Sequence, residues 1–137
     1  MIKYLLYSLL VCFMVVVSTT ICAQEIPDSC QLTAEAFYLR IEKDVEGVVL
    51  DARSSDEDRQ LSIHNAIPVP NSAALTSVLD TIPSFQRVYI YCSYGDRSEQ
   101  ALKFALDGYP NLSIYHLKKG FQRWKKLGYP LDTLAIP

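Results

Sequence analysis

Apolar positions along the chain alternate between helical spacing and short unbroken runs. Thr33 suits a helix N-cap, with Glu35 in the first turn, where the helix dipole favours negative charge. Ala34, Phe37, Tyr38 and Ile41 then recur at i, i+3, i+4 and i+7, and Gly47 closes that element. Val48-Val49-Leu50 is wholly apolar, as in a strand covered on both faces. A polar, acid-rich loop runs from Arg53 to Gln60. Ala66-Ile67-Pro68-Val69 follows as a second extended segment, whose prolines suit a sheet edge or a strand end. From Asn71 the helical period returns through Leu75, Val78, Leu79 and Ile82 until Pro83 stops it. Arg87-Val88-Tyr89-Ile90-Tyr91 is the strongest strand, β-branched and aromatic. A helix carrying Ser98, Ala101, Leu102 and Ala105 on one face closes at Gly108, Leu112 to His116 reads as a strand, and Phe121 to Leu127 as a last amphipathic helix before Gly128. Strands alternating with helices across short joints predict a three-layer α/β/α domain with a central, mainly parallel sheet.

The first residues follow a different logic. Lys3 precedes an apolar run from Tyr4 to Val17, then Ser18, Thr19 and Thr20, then Ile21-Cys22-Ala23-Gln24. This is the order of a secretory signal peptide, with cleavage expected near Ala23. An uncleaved anchor is the competing reading, although the apolar run is short against the ~20 residues a spanning helix needs. Cys22 also raises lipidation, which the bulk of Ile21 disfavours. The expected organisation is therefore a signal peptide at 1–23, a short leader at 24–31 and one domain at 32–133, exported to a periplasmic or extracellular location. Cleavage removes Cys12 and Cys22 and leaves Cys30 and Cys92, too few for a disulfide framework.

Composition narrows the function classes. A chain of 137 residues allows one domain, and 50% hydrophobic with 20% charged residues excludes intrinsic disorder. The net charge of −2 argues against a nucleic-acid binder, which needs a basic stripe. Two histidines and scattered acids offer no metal-ligand spacing, and no phosphate-binding glycine motif is present.

One segment carries chemistry. Cys92-Ser93-Tyr94-Gly95-Asp96-Arg97-Ser98 stands between a buried strand and a helix start, where ligands of parallel sheets bind. Loop N–H groups pointing inward and the helix end supply partial positive charge, Gly95 permits a backbone angle other residues resist, and Arg97 is a permanent cation. Together they favour thiolate over thiol and mark Cys92 as a nucleophile. The bland alternative is a buried core cysteine in an ordinary turn.

The sequence resembles the rhodanese family over about residues 32–131. Cys92-x-x-Gly95-x-Arg97-Ser98 is similar to its active-site loop, and Val49-Leu50-Asp51-Ala52-Arg53 to its strand ending in Asp-x-Arg. Leu117-Lys118-Lys119-Gly120-Phe121, with Trp124, Gly128, Tyr129 and Pro130, is similar to its Leu-x-Gly-Gly…Trp…Gly-Tyr-Pro signature. The resemblance implies a sulfurtransferase without a cofactor. Cys92 carries the sulfur as a persulfide, the N–H groups of residues 93–97 stabilise it, Arg97 orients an oxyanion donor or the loop, and Asp51 and Arg53 brace the site. The implied partners are a small sulfur donor, a thiol or cyanide acceptor, and a protein persulfide. Four residues between Cys92 and Arg97, against five in cysteine phosphatases of related architecture, favour sulfur over phosphate.

Departures shape the expectation. Ser62 stands at the family's usual histidine, His64 where proline is common, and Lys119 replaces the first glycine of the late pair. His64 then reads as a surface residue, and the Lys119 turn as altered. Asp96 places negative charge in an anion-receiving loop; at ~4 Å it opposes an anionic donor by about 1–4 kcal/mol. Thiosulfate is thus expected to be a poor donor and a persulfide a better one. Tyr94 lines the mouth or packs. Cys30 is a leader thiol or a resolving cysteine for Cys92, and Lys118, Lys119, Arg123, Lys125 and Lys126 form a solvated helix face or a dock for an acidic partner. Two alternatives to sulfur transfer remain: a non-catalytic binding module, and thiol–disulfide exchange through Cys30 and Cys92.

Overall fold

The fold was taken from a computed structural model, which describes residue 2, residues 25–57 and residues 59–133. The expected signal segment at 1–23, with Cys12 and Cys22, lies outside the described residues apart from Ile2. Among those described, no helix is long and apolar enough to cross a membrane.

Five strands form one sheet: β1 (Gln31–Leu32), β2 (Val48–Asp51), β4 (Ile67–Pro68), β5 (Arg87–Tyr91) and β6 (Ser113–Leu117). Their spatial order is β1-β6-β5-β2-β4, with every pairing parallel. The helices are α1 (Ala34–Lys43), α2 (Ser72–Leu79), α3 (Asp96–Gly108) and α4 (Gly120–Lys126). A small antiparallel pair, β3 (Leu61–Ser62) with β7 (Asp132–Thr133), stands apart from the sheet.

Local sequence accounts for most element ends. Thr33 Oγ1 accepts the Ala36 N–H and Asn71 Oδ1 accepts the Ala74 N–H, so both helices open with a satisfied N-cap. Helix α2 ends at Leu79, short of Pro83, yet Ile82 still packs on the core beneath it. The proline-bearing strand β4 takes the sheet edge, where its missing N–H costs no ladder bond.

Alternating strand residues feed two separate cores. On one face Leu50, Val88, Ile90, Cys92 and Ile114 pack with Leu75 and Leu79 of α2 and Leu102 and Ala105 of α3. On the other, Val49, Tyr89, Tyr91 and Leu117 meet Phe37 of α1 and Phe121 and Trp124 of α4. That second face is aromatic: Phe37 meets Trp124 edge-on at 5.9 Å, and the Trp124 Nε1–H donates to the Pro130 carbonyl at 2.9 Å.

The leader expected at 24–31 is not separate from the domain. Gln31 and Leu32 pair with His116 and Leu117 to make the edge strand β1, and Ile26 and Cys30 pack against the core. A two-residue strand has no periodicity to read, so its parallel partner alone defines it.

Candidate active site

Cys92 leaves the C-terminal end of β5, the middle strand of the sheet, and is 3% exposed. The chain then turns sharply. Gly95, at φ 107°, serves as N-cap of α3, and the turn aims two N–H groups back at the sulfur. Gly95 N lies 3.1 Å and Ser98 N 3.4 Å from Cys92 Sγ. Of the amides expected at 93–97, Gly95 is the hydrogen-bonded one; the second donor is Ser98, one place beyond that range. The Ser98 hydroxyl also lies 3.6 Å from the sulfur.

Backbone interlock holds the loop. Phe121 N donates to the Cys92 carbonyl at 2.8 Å and Gln122 N to the Ser93 carbonyl at 3.0 Å. A Cβ at Gly95 would fall 2.2 Å from the Lys118 carbonyl oxygen, and one at Gly120 2.5 Å from that of Ser93. Lys119, in place of the family's glycine, takes φ −106°, open to any residue. The positive φ of 67° and the close contact both fall on Gly120.

Asp51 and Arg53 lie 2% exposed each beside this loop. Arg53 Nη2 reaches Asp51 Oδ2 at 2.6 Å and its Nε reaches Oδ1 at 2.9 Å. The same guanidinium donates to the Leu61 carbonyl and lies 4.4 Å from the Phe121 ring centre. These contacts tie β2, β3 and α4 together.

Glu57 is the group that sequence reasoning passed over. It lies in the acid-rich loop, accepts from the Ser93 hydroxyl, and pairs through Oε1 with Arg97 Nη1 at 2.5 Å. Burial works against its charge, but the Ser93 and Ser54 hydrogen bonds and the Arg97 cation outweigh that and hold its carboxyl down to about 2. Arg97 is therefore engaged with a carboxylate across the loop. Asp96 is exposed and Tyr94 is 70% exposed, outside both cores.

His116 was also passed over. It is 1% exposed on β6, and its Nδ1 lies 3.1 Å from the Ser98 hydroxyl behind the sulfur. Its signal in sequence is slight: one histidine near the end of a strand that also carries Ser113. His64, by contrast, is exposed and faces Asp132 at 2.8 Å, while Ser62 is buried.

Cys30 and Cys92 are both free thiols. Gln31 pairs with His116, which pairs with Ile90, so Cys30 stands two strands away and about three residues short of Cys92. At ~4.8 Å per strand and ~3.3 Å per residue their Cα atoms are roughly 14 Å apart, far beyond disulfide reach. The resolving-cysteine reading fails on that geometry.

A family profile for the rhodanese-like domain matches residues 33–127. The chain belongs to the rhodanese-like family. Solved rhodanese structures agree. A rhodanese-related protein from Thermoplasma volcanium is 27% identical with a TM-score of 0.61, covering 74% of this chain and 96% of its own. A thiosulfate sulfurtransferase from Pseudomonas aeruginosa is 28% identical with a TM-score of 0.65, covering 75% of this chain, which spans 20% of that longer protein. The Alr3790 protein from Anabaena sp., at 20% identity and a TM-score of 0.65, shares the fold. Comparison with curated protein sequences gives no match. Within this rhodanese-like domain, the three sequence signatures meet at one place: the cysteine loop rests on the Lys118–Phe121 turn and flanks the Asp51–Arg53 pair.

Proposed function

We propose that this rhodanese-like protein is an exported sulfurtransferase that carries sulfane sulfur as a persulfide on Cys92. The observation that carries the reading is the sulfur at the end of the central strand, receiving the Gly95 and Ser98 N–H groups. Such donors favour an anionic sulfur over a neutral one. The likeness to a thiosulfate sulfurtransferase supports the same chemistry.

In this reading the Cys92 thiolate attacks the outer sulfur of a donor, and the donor's S–S bond breaks with its electron pair leaving on the inner sulfur. A nucleophilic acceptor then attacks the outer sulfur of the persulfide and returns Cys92 as thiolate. Glu57 and Asp96 bring negative charge to the loop, and Arg97 is already paired. A doubly charged donor such as thiosulfate is therefore disfavoured against a persulfide.

A groove of about 930 Å³ beside the loop adds a partner class. Lys118, Lys119, Arg123 and Lys126 line it with Glu35 as its one carboxylate, although the chain as a whole is acidic. It suits an acidic protein that donates or accepts a persulfide. Replacing Lys119 and Arg123 by Glu is expected to raise KM for a glutamate-rich cysteine peptide severalfold and leave transfer to cyanide unchanged; equal KM values reject the groove.

The central experiment is the intact mass of the secreted protein before and after cyanide. Loss of one sulfur atom, absent in Cys92→Ser, is the expected result, and the same spectrum reports whether residues 1–23 have been removed. A wild-type protein that acquires no sulfur from either thiosulfate or a persulfide donor rejects the enzymatic reading. A non-catalytic docking module would then account for the deeply buried Cys92 and the carboxylate across its loop.

A further inference from the structure

Ser98 Oγ has one proton to give and two lone pairs to fill. Its contacts are Gly95 O at 3.0 Å, His116 Nδ1 at 3.1 Å and Cys92 Sγ at 3.6 Å. The carbonyl only accepts, so the hydroxyl proton goes to Gly95 O. The same oxygen can then accept from two donors. The Cys92 thiol is one, and His116 Nδ1–H is the other. We assign the neutral ring the Nδ1–H tautomer on this accounting, with Nε2 as a lone pair. Nε2 is buried without a hydrogen-bond partner among the described residues, which suits a lone pair better than an N–H.

Loss of the Cys92 proton rearranges the set. A thiolate can no longer donate and instead calls for donors at Sγ. Gly95 O also receives the Glu99 N–H at 3.0 Å, so it keeps a partner when the Ser98 hydroxyl turns away. The His116 N–H continues to fill one lone pair of Ser98 and polarises its hydroxyl toward the sulfur.

We propose that His116 is a positioning residue for Cys92, acting through Ser98: it holds the Ser98 hydroxyl as a third donor to the sulfur anion, beside the N–H groups of Gly95 and Ser98. The role rests on Cys92 being the sulfur carrier, but it is read out on the thiol alone. Burial is the largest influence on the ring and lowers its affinity for protons; the charges facing it are Glu99 on α3, which raises that affinity, and Lys118 after β6, which lowers it.

The test is the pH profile of Cys92 alkylation by iodoacetamide, followed by mass in a Cys30→Ser background. His116→Leu is expected to move the midpoint up by about one pH unit, slowing alkylation near neutrality about tenfold. His116→Asn, which can place an amide N–H near the Nδ1 position, should stay within about twofold of the parent. Ser98→Ala should lose as much as His116→Leu, and the double variant no more than either. An unmoved midpoint in folded His116→Leu overturns the proposal, as do additive losses in the double variant. If His116→Leu does not fold, the Asn and Ala variants decide alone: a profile in Ser98→Ala matching the parent overturns it. Sulfur loading is measured separately, so a shifted alkylation profile without any persulfide rejects the sulfurtransferase reading and leaves the His116 role standing.

Discussion

Two acid–arginine pairs border the cysteine loop, nearly equal in length and opposite in character. Asp51 and Arg53 meet at 2.6 Å with side chains 2% and 3% exposed; Glu57 and Arg97 meet at 2.5 Å with 30% and 52% exposed. Distance alone does not rank them. The buried pair has given up its water, so its worth lies in complete satisfaction: the Asp51 carboxylate takes the Arg53 N–H and guanidinium, and Arg53 also reaches Leu61 O and the Phe121 face. Removing one partner leaves a bare charge in the interior. The outer pair remains in contact with water, where screening makes it weak as a brace and adjustable as a charge at the loop.

The strongest way to break this contrast is Asp51→Asn. It should destabilise the domain by about 3–5 kcal/mol, read as a lower midpoint in urea unfolding. Glu57→Gln should lower that midpoint less than Asp51→Asn does, because its pair stays in contact with water. It releases Arg97 and removes a negative charge, so kcat/KM for thiosulfate should rise about tenfold, the size expected for one nearby charge. No gain in thiosulfate turnover removes Glu57 as the determinant of donor choice.

A smaller effect separates the pairs by pH. The Glu57 carboxyl is lowered in the folded state to about 2 from 4.5, so its stabilising share is complete above the unfolded value and disappears as pH falls through the folded one. The stability difference between wild type and Glu57→Gln should be flat above about pH 5 and should close on acidification toward about pH 2. A difference that persists at the acid end would mean that Glu57 acts through packing and not through its charge.

Much of this arrangement is legible in the sequence. The strand at Val48–Leu50 and the strand at Arg87–Tyr91 announce themselves because burial on both faces demands unbroken apolar runs. The thiol was legible because a cysteine at a strand end, a glycine three places on and an arginine five places on form a local unit. What escaped was non-local. Asp56, Glu57 and Asp58 are indistinguishable in sequence, and the Ser93 partner lies 36 residues from Glu57. His116 reaches Ser98 only because β6 lies beside β5 and α3 packs over it. The two-residue strands β1, β3 and β7 are likewise set by their neighbours.

The glycine interlock has an evolutionary consequence. Main chain meets main chain at Gly95 against Lys118 and at Gly120 against Ser93, so the cradle is shaped without help from the exposed side chains at positions 94 and 96. Those positions are free to be rewritten. Under the proposed sulfur transfer, a change of sulfur source would call for new side chains around the opening and leave the backbone that holds Cys92 as it is.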